Sequence, residues 1–357
     1  MLQLYINEII KFMDLITLSM PVYNVEKYVG KALLSALNQT YENIEYIVVD
    51  DRGTDISMDI VRRTISQHPR GKNVRIIEHE KNIGLGATRN TAIENAQGKY
   101  IYFMDSDDEI SIDCIEKLYA KMQEKNVDFV IGACRRLLRS GEIIEDSIYK
   151  GANIQGHLAI AQQFFEERNR SLSVLVWNKL YQLSFLRNNQ ISCYPNHLNE
   201  DNIFSFQVFL NASSCSSISD ITYFYYDTPN SIMKKMENKN MSSRFGIQST
   251  EIVSFYREYS RKYRKENIYE FLLVYIINNG YFFATKIDRS NVIPKSEKEK
   301  LLKTITTFPI HLKEISQLKR KKIFFYTMYF VFKMPFKILI FRLILWASTI
   351  KKKMSKK

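Results

Sequence analysis

Short apolar runs alternate with helical patterns through the first third of the chain. Ile16-Thr17-Leu18-Ser19-Met20, Ile44-Glu45-Tyr46-Ile47-Val48-Val49, Val74-Arg75-Ile76-Ile77 and Lys99-Tyr100-Ile101-Tyr102-Phe103-Met104 each have the length and β-branched or aromatic content of a buried strand. Glu26 to Asn38 repeats apolar residues at helical spacing, with Val29, Ala32, Leu33 and Ala36 on one face. Thr54 or Asp55 is placed to cap a second helix, and a third begins within Asn82-Ile83-Gly84-Leu85-Gly86. Strand alternating with helix predicts a parallel, doubly wound α/β sheet. A fifth strand is expected over Val127 to Gly132. Arg135 to Ala152 is polar, contains Gly141 and Gly151, and reads as a hairpin or a mobile loop. Asn230 to Asn240 reads as a linker, and Phe245 to Arg264 and Asn267 to Lys286 as aromatic-rich helices.

The polar residues that interrupt this pattern fall where the strands end. The first strand closes on Pro21-Val22-Tyr23-Asn24, the second on Asp50 and Asp51, the fourth on Asp105-Ser106-Asp107-Asp108. On sheets of this kind, ligands bind at the carboxyl ends of the strands. Acids there are costly to bury unless they bind something. Asp105 and Asp107 are two apart, so strand alternation can bring them to one side, an arrangement that suits a hard divalent cation shared with phosphates. The other reading is an acid-rich turn with an N-capping aspartate. A dinucleotide-binding domain is disfavoured, because no glycine-rich turn follows the first strand.

Taken in order and spacing, Pro21-Val22-Tyr23-Asn24, Val49-Asp50-Asp51-Arg52-Gly53-Thr54-Asp55, Asn82-Ile83-Gly84 with Ala87-Thr88-Arg89-Asn90, and Asp105-Ser106-Asp107-Asp108 resemble family 2 glycosyltransferases of the bacterial surface-polysaccharide type. The match is strong from about residue 14 to 110 and looser from 174 to 232. It implies a GT-A catalytic domain over residues 13–227 with inverting chemistry, followed by a mostly helical region. By resemblance, Pro21 and Tyr23 border a uracil ring, Asp51 accepts a hydrogen bond from the base and Asp50 shapes that loop. Arg89 lies near the diphosphate or holds the loop that carries it. Asp105 contacts the ribose, and Asp107, with Asp105, binds Mn²⁺ or Mg²⁺. The departure is Arg52-Gly53, where the family usually has Gly-Ser; an arginine there either alters the loop or adds a phosphate contact.

The acceptor side falls to the second half. Trp177-Asn178-Lys179-Leu180-Tyr181 resembles a Trp-x-Lys-Leu-Tyr segment of one branch of the family, and Glu200-Asp201 resembles the motif whose aspartate is the catalytic base. A solvated helix N-terminus is the alternative for that acid pair. Trp177 and Tyr181 fit either a sugar face or the core. A carboxylate that takes the proton of an acceptor hydroxyl, opposite a cation on the departing diphosphate, gives one in-line displacement with inversion. A processive synthase is disfavoured: neither Trp177 nor Trp346 is preceded by arginine.

Charge changes the picture only at one end. The chain of 357 residues carries a net +13, yet from Arg320 to Lys357 it holds eleven Lys and Arg and no acid, leaving +2 for the rest. Nucleic-acid binding is therefore not expected, since the basic residues cluster in an apolar tail without a recognised motif. The aromatic runs there are interrupted by charges, which argues against a spanning helix and for amphipathic helices on an anionic membrane surface. Packing on the protein or on a second copy of the chain is the alternative. The expected divisions are a helical region over 228–319 and a basic tail over 320–357. Cys114, Cys134, Cys193 and Cys215 lack metal-ligand spacing and read as free thiols in a reducing cytosol. Met1 to Glu8 has no secretion-signal pattern, and Met13 is a candidate start. A cytoplasmic enzyme peripheral to the inner face of the membrane is expected, taking a nucleotide-sugar donor and a saccharide or lipid-linked acceptor. A catalytically silent nucleotide-binding scaffold is the competing reading.

Overall fold

The computed structural model describes residues 13–149, 153–167, 172–227, 241–334 and 339–340. The linker expected over Asn230 to Asn240, the proposed start region before Met13 and most of the tail beyond Met334 lie outside the described residues. The chain divides into two compact units, residues 1–229 and 230–357.

The first unit is built on one sheet of ten strands among the described residues. Strands β1 (Ile16–Val22), β2 (Ile44–Asp50), β3 (Val74–Glu78) and β4 (Tyr100–Phe103) are the four expected ones, and they pair in parallel in the order β3-β2-β1-β4. The chain winds outward from β1 to β3, then crosses back to the other side of β1, which makes the β1–β4 crevice a topological switch point. Both faces of β1 are covered: Ile16, Leu18 and Met20 are buried, and so are Thr17 and Ser19. That is the pattern of a parallel strand between helical layers. Helix α1 (Val29–Leu37) buries the predicted stripe of Val29, Ala32, Leu33 and Ala36 against it. Helices α2 (Ser57–Gln67), α3 (Leu85–Asn95) and α4 (Cys114–Lys125) complete the layers.

The parallel winding stops at β4. Past the short β5 (Glu109–Ile110), the sheet continues through β9 (Lys179–Gln182), antiparallel to β4, then β6 (Phe129–Leu138) and β10 (Ser214–Asp227). Strands β7 (Ile143–Ser147) and β8 (Asn153–Gln155) attach to β6 and β10. The expected fully parallel sheet is thus mixed, because the second half returns along β4 with a strand of opposite sense. The irregular segment after Arg135 is the β6–β7 hairpin. The short helix α5 (Leu183–Asn188) and the helix α6 (Glu200–Asn211) follow β9. All four cysteines are buried and unpaired.

The second unit is helical: α7 (Ser243–Ser260), α8 (Tyr269–Arg289), α9 (Lys295–Ile305), α10 (Leu312–Ile315) and α11 (Lys322–Lys333). Tyr269, Leu273, Ile277 and Tyr281 of α8 pack with Phe325, Met328 and Phe332 of α11. The Glu270 carboxylate receives the backbone N–H groups of Lys319, Arg320 and Lys321, satisfying donors in the turn that leads into α11. The basic tail expected from Arg320 therefore shares its first helix with the core of the helical unit. The opposite face of α11 is open, with Ile323 at 85% and Phe330 at 58% exposure. No described helix is long and apolar enough to cross a membrane.

This two-faced helix gives a direct test. Phe325→Ala is expected to destabilise the protein by about 3–5 kcal/mol, the usual cost of emptying a buried phenylalanine site. Phe330→Ala is expected to stay within about 0.5 kcal/mol of wild type. Denaturant titration of the two variants measures both; equal effects would refute this packing of α11.

Candidate active site

The functional side chains come from the strand ends around the β1–β4 crevice. On one side, Val22, Tyr23, Asn24, Asp50, Arg52 and Gly53 help to line a cavity of about 200 Å³. Tyr23 is exposed and Pro21 half-buried, so neither is taken up by the core. Arg52 adopts a left-handed φ of 56°. That conformation is costly for a non-glycine residue, roughly 1–2 kcal/mol, and explains why a glycine suits this position. Its side chain supplies offsetting contacts: Nε donates to the His79 carbonyl at 2.5 Å, and the guanidinium pairs with Glu78 at 3.1 Å and Asp50 at 3.7 Å. Arg52 is thus paired with protein acids instead of standing free for a phosphate.

Asp51 is buried and fully engaged. One carboxylate oxygen accepts from Ile83 N and lies 2.8 Å from His79 Nδ1, and the other accepts from Gly84 N. It ties the end of β2 to the loop that opens α3. Gly84 is required there: its φ is +88°, and a side chain would meet Asn196 Cα at 2.9 Å. A base contact by Asp51 would have to share oxygens already used by three protein donors.

The centre of the site is Arg89, on the first turns of α3 and only 1% exposed. One guanidinium nitrogen donates to Asp105 at 3.0 Å; the other reaches Glu200 at 3.0 Å and Asp201. Arg89 is therefore not a solvated helix residue, and its contacts are to acids. Burial alone would lower its pKa, but the three carboxylates outweigh that and hold it well above its usual value. The acids are not equivalent. Glu200 is 8% exposed at its side chain, and burial together with the Asp201 charge pushes its pKa up. Asp201 is 22% exposed, so it is the member of the pair that a second molecule can reach. Burial pushes Asp105 up to about 6 against the pull of Arg89.

The other two acids of the β4 turn divide sharply. Asp108 is buried, accepts from Tyr223 Oη and Tyr226 N at 2.9 Å, and so pins β10 to the turn. The Asp107 carboxylate accepts no hydrogen bond from another residue and forms no ion pair among the described residues; burial raises its pKa, while the Arg139 charge and its own backbone amide oppose the rise. Among the described residues no cluster of three His, Cys, Asp or Glu forms a ready metal cage. An open carboxylate at a strand end nevertheless fits a cation of the kind held by one or two carboxylates plus substrate phosphates. Asp107 meets that requirement, while Asp105 has one oxygen bound to Arg89.

Trp177 and Tyr181 resolve to the core. Trp177 stacks on Tyr223 at 4.3 Å, and Tyr181 is fully buried. Two residues whose roles the sequence did not disclose are Lys179 and Arg139. The buried Lys179 ammonium donates to the carbonyls of Ser173 and Leu175, and burial lowers its pKa to about 7. It fixes the segment that passes beneath Ser205 of α6, whose hydroxyl donates to Val174 O. The Trp-x-Lys pattern marked the residue, but nothing in it told of carbonyl partners upstream. Arg139 lies in the segment expected to form a hairpin or a mobile loop, which is the β6–β7 hairpin, and no role for it was expected.

With this geometry in view, known proteins give the context. The profile of glycosyl transferase family 2 matches residues 17–173. The chain is 31% identical over 258 residues to the Bacillus subtilis protein EpsH, covering 70% of this chain and 72% of EpsH. The chain belongs to glycosyl transferase family 2. It is also 32% identical over 246 residues to the glycosyltransferase GlyA of Streptococcus pneumoniae, covering 67% of this chain but only 34% of GlyA. The chain thus spans about a third of that relative. Among solved structures, residues 1–349 of Staphylococcus aureus TarS in complex with UDP-GlcNAc superpose with a TM-score of 0.66 at 20% identity, over 92% of this chain and 89% of that one. That likeness shows the GT-A fold with its helical C-terminal region. This family 2 member is therefore a glycosyltransferase whose strand-end acids occupy the crevice expected of the fold.

One arginine facing three carboxylates makes the glycosyltransferase site acid-rich, with a measurable pH signature. Asp105 holds its proton in the folded state up to about pH 6, against 3.8 for the ordinary group. Its contribution to stability therefore falls as pH rises from about 4 to 6 and stays low above that. Asp105→Asn is expected to unfold at a higher temperature than wild type at pH 8, by about 1–2 kcal/mol after allowing for its partial exposure. The gap should be about halved at pH 5 and close near pH 4. A variant less stable than wild type at pH 8 would contradict this balance.

Proposed function

We propose that this family 2 glycosyltransferase transfers one sugar, with inversion, from a uridine diphosphate sugar to a saccharide or lipid-linked acceptor in the building of a surface polysaccharide. The observation that carries the reading is the Arg89 junction, which brings Asp105 from the strand end and Asp201 from the α6 N-terminus to one guanidinium. It places an acid assigned to the donor and an acid assigned to the acceptor on either side of a single fixed group. The TarS complex with UDP-GlcNAc supports a uridine donor, and the cavity at Tyr23, Asn24 and Asp50 is the slot we assign to its base.

In this reading, Arg89 holds one oxygen of Asp201 and leaves the other to accept the proton of the attacking hydroxyl. Glu200, the more buried neighbour, orients Arg89 and keeps Asp201 at the end of the helix. Asp107, seconded by Asp105, is the holder of the Mn²⁺ or Mg²⁺ ion. When bound, that cation neutralises charge gathering on the departing diphosphate. The protein groups fix donor and acceptor on opposite faces of the anomeric carbon, so an α-linked donor yields a β-linked product.

Asp201→Asn keeps the shape of the side chain and one oxygen for Arg89. Transfer is expected to fall roughly 10²–10⁴-fold at saturating donor and acceptor, the usual worth of a positioned base. Donor affinity should be nearly unchanged, and Glu200→Gln should be milder. Turnover by Asp201→Asn near the wild-type rate would remove it as the base.

We also place the enzyme peripherally on the cytoplasmic face of an anionic membrane. The open face of α11 presents Ile323 and Phe330, with exposed Lys322 and Lys333 on the same helix. Each lysine near an anionic surface contributes about 1 kcal/mol, and the apolar side chains add burial. The double variant Ile323→Glu and Phe330→Glu should co-sediment less with vesicles containing phosphatidylglycerol, while its unfolding transition is retained. Equal sedimentation of variant and wild type would count against the membrane role.

A further inference from the structure

Arg139 sits at the turn of the β6–β7 hairpin, exposed to solvent yet closely held. Its guanidinium carbon lies 4.0 Å from the ring centre of Tyr28 and 4.5 Å from that of Tyr226. Its Nη2 donates to the backbone carbonyl of Asp107 at 2.6 Å. That is its sole hydrogen bond among the described residues, so most of its five N–H donors are unused. The cage is itself anchored: Tyr226 N donates to Asp108, and Tyr28 immediately precedes α1.

The arginines around it are spent otherwise. Arg135 and Arg136, on the same hairpin, form two-pronged pairs with Asp146 and Asp227. Arg52 is neutralised by Asp50 and Glu78, and Arg89 by three acids. Arg139 has no carboxylate within ion-pair distance among the described residues. It touches the backbone of Asp107 and leaves that carboxylate free. A strand-end acid and a cation are thus fixed side by side, near enough for each to feel the other's charge but without an ion pair. Two aromatic faces hold the cation in place, so little ordering remains when an anion arrives.

We infer that Arg139 is a donor-binding residue that contacts the diphosphate of the nucleotide sugar, acting beside the Asp107 cation and supplied by the β6–β7 hairpin. The inference rests on the donor reading above, in which Asp107 marks the diphosphate end of the site. A guanidinium matches a phosphate oxygen pair in shape as well as charge. Contact with a group that gains negative charge as the sugar leaves would favour the transition state as well as binding.

The test uses inorganic pyrophosphate with Mn²⁺, which carries the diphosphate without assuming a base, and uridine as the counterpart without phosphate. Binding to wild type, Arg139→Gln, Arg139→Lys and Asp107→Asn is measured by calorimetry. Arg139→Gln is expected to weaken pyrophosphate roughly 10-fold or more, as befits loss of a charged hydrogen bond, and to leave uridine unchanged. Arg139→Lys should recover part of the loss. If Asp107→Asn loses pyrophosphate while Arg139→Gln binds it as wild type does, the inference about Arg139 fails and the donor site stands. If Arg139→Gln weakens uridine and pyrophosphate alike, the residue only props the loop and the inference also fails. If neither variant changes pyrophosphate binding, or wild type binds none, the donor reading falls with it.

Discussion

The arrangement of the site depends on one buried guanidinium. Arg89 is provided by a helix whose entry is set by Gly84 and Asp51, and it gathers acids that lie 16 and 111 or more residues away in the chain. A charge removed this far from water is tolerated only when paired and hydrogen-bonded. Here the need is mutual, since burial raises two of the acids it holds, Asp105 and Glu200. Glu200 and Asp105 both resist ionisation, and Arg89 is what keeps them compatible with a closed crevice. Its Nε has no partner among the described residues, which shows that the two terminal nitrogens set its position. Loss of this residue would leave several carboxylates facing one another, with consequences for both halves of the reaction at once.

Around that junction, identical side chains are assigned different work by what their neighbours donate. Asp51 meets two backbone amides and a histidine, so it becomes a brace between β2 and α3. Asp108 meets a tyrosine hydroxyl and an amide of β10, and braces the β4 turn. Asp107 meets only its own amide, and stays available to a ligand. The same logic separates Glu200 from Asp201: adjacent on one helix, they differ in access to solvent, and the second is the more exposed. Function in this crevice is what remains of the acids after the scaffold has taken its share.

Much of this could be read before the fold was known, and the limits have physical causes. Strands β1, β2 and β4 were legible because both their faces are buried, which leaves continuous apolar runs closed by polar ends, whereas the edge strand β3 is only partly buried and was legible from its short β-branched run. Arg89, Asp105, Asp107 and Asp201 were legible as candidates from order and spacing. The junction among them was not, because it joins elements distant in sequence through side chains alone. Winding was predicted too simply: nothing local in Lys179-Leu180-Tyr181-Gln182 states that it runs antiparallel to β4. Trp177 looked equally fit for a sugar or a core, and its stacking on Tyr223 decides between them. Arg139 was invisible because a polar turn has no periodicity; only the two tyrosines from elsewhere give it meaning. Arg52 shows the converse case, in which a residue unusual for its position keeps the backbone a glycine would adopt and recruits acids to do so.

The balance of charge in the crevice explains why cationic groups belong on its donor side. Arg89 answers one of the three carboxylates it touches, so the junction remains negative when all are ionised, and Asp107 adds to that. A diphosphate approaching such a site meets like charge. At an effective dielectric constant near 20, two unit charges about 4 Å apart interact by roughly 4 kcal/mol. A family 2 enzyme with this set of acids therefore needs positive charge at the Asp107 end before its donor can settle. The groups that suit the task are a divalent ion on the open Asp107 carboxylate and a guanidinium not already claimed by an acid. Among the arginines that surround the β4 turn in the described residues, Arg52, Arg89, Arg135 and Arg136 are claimed. On the proposed reading, the acids assigned to proton removal on the acceptor side thus create the demand for cations on the donor side, and Arg139 is the side chain we assign to answer it.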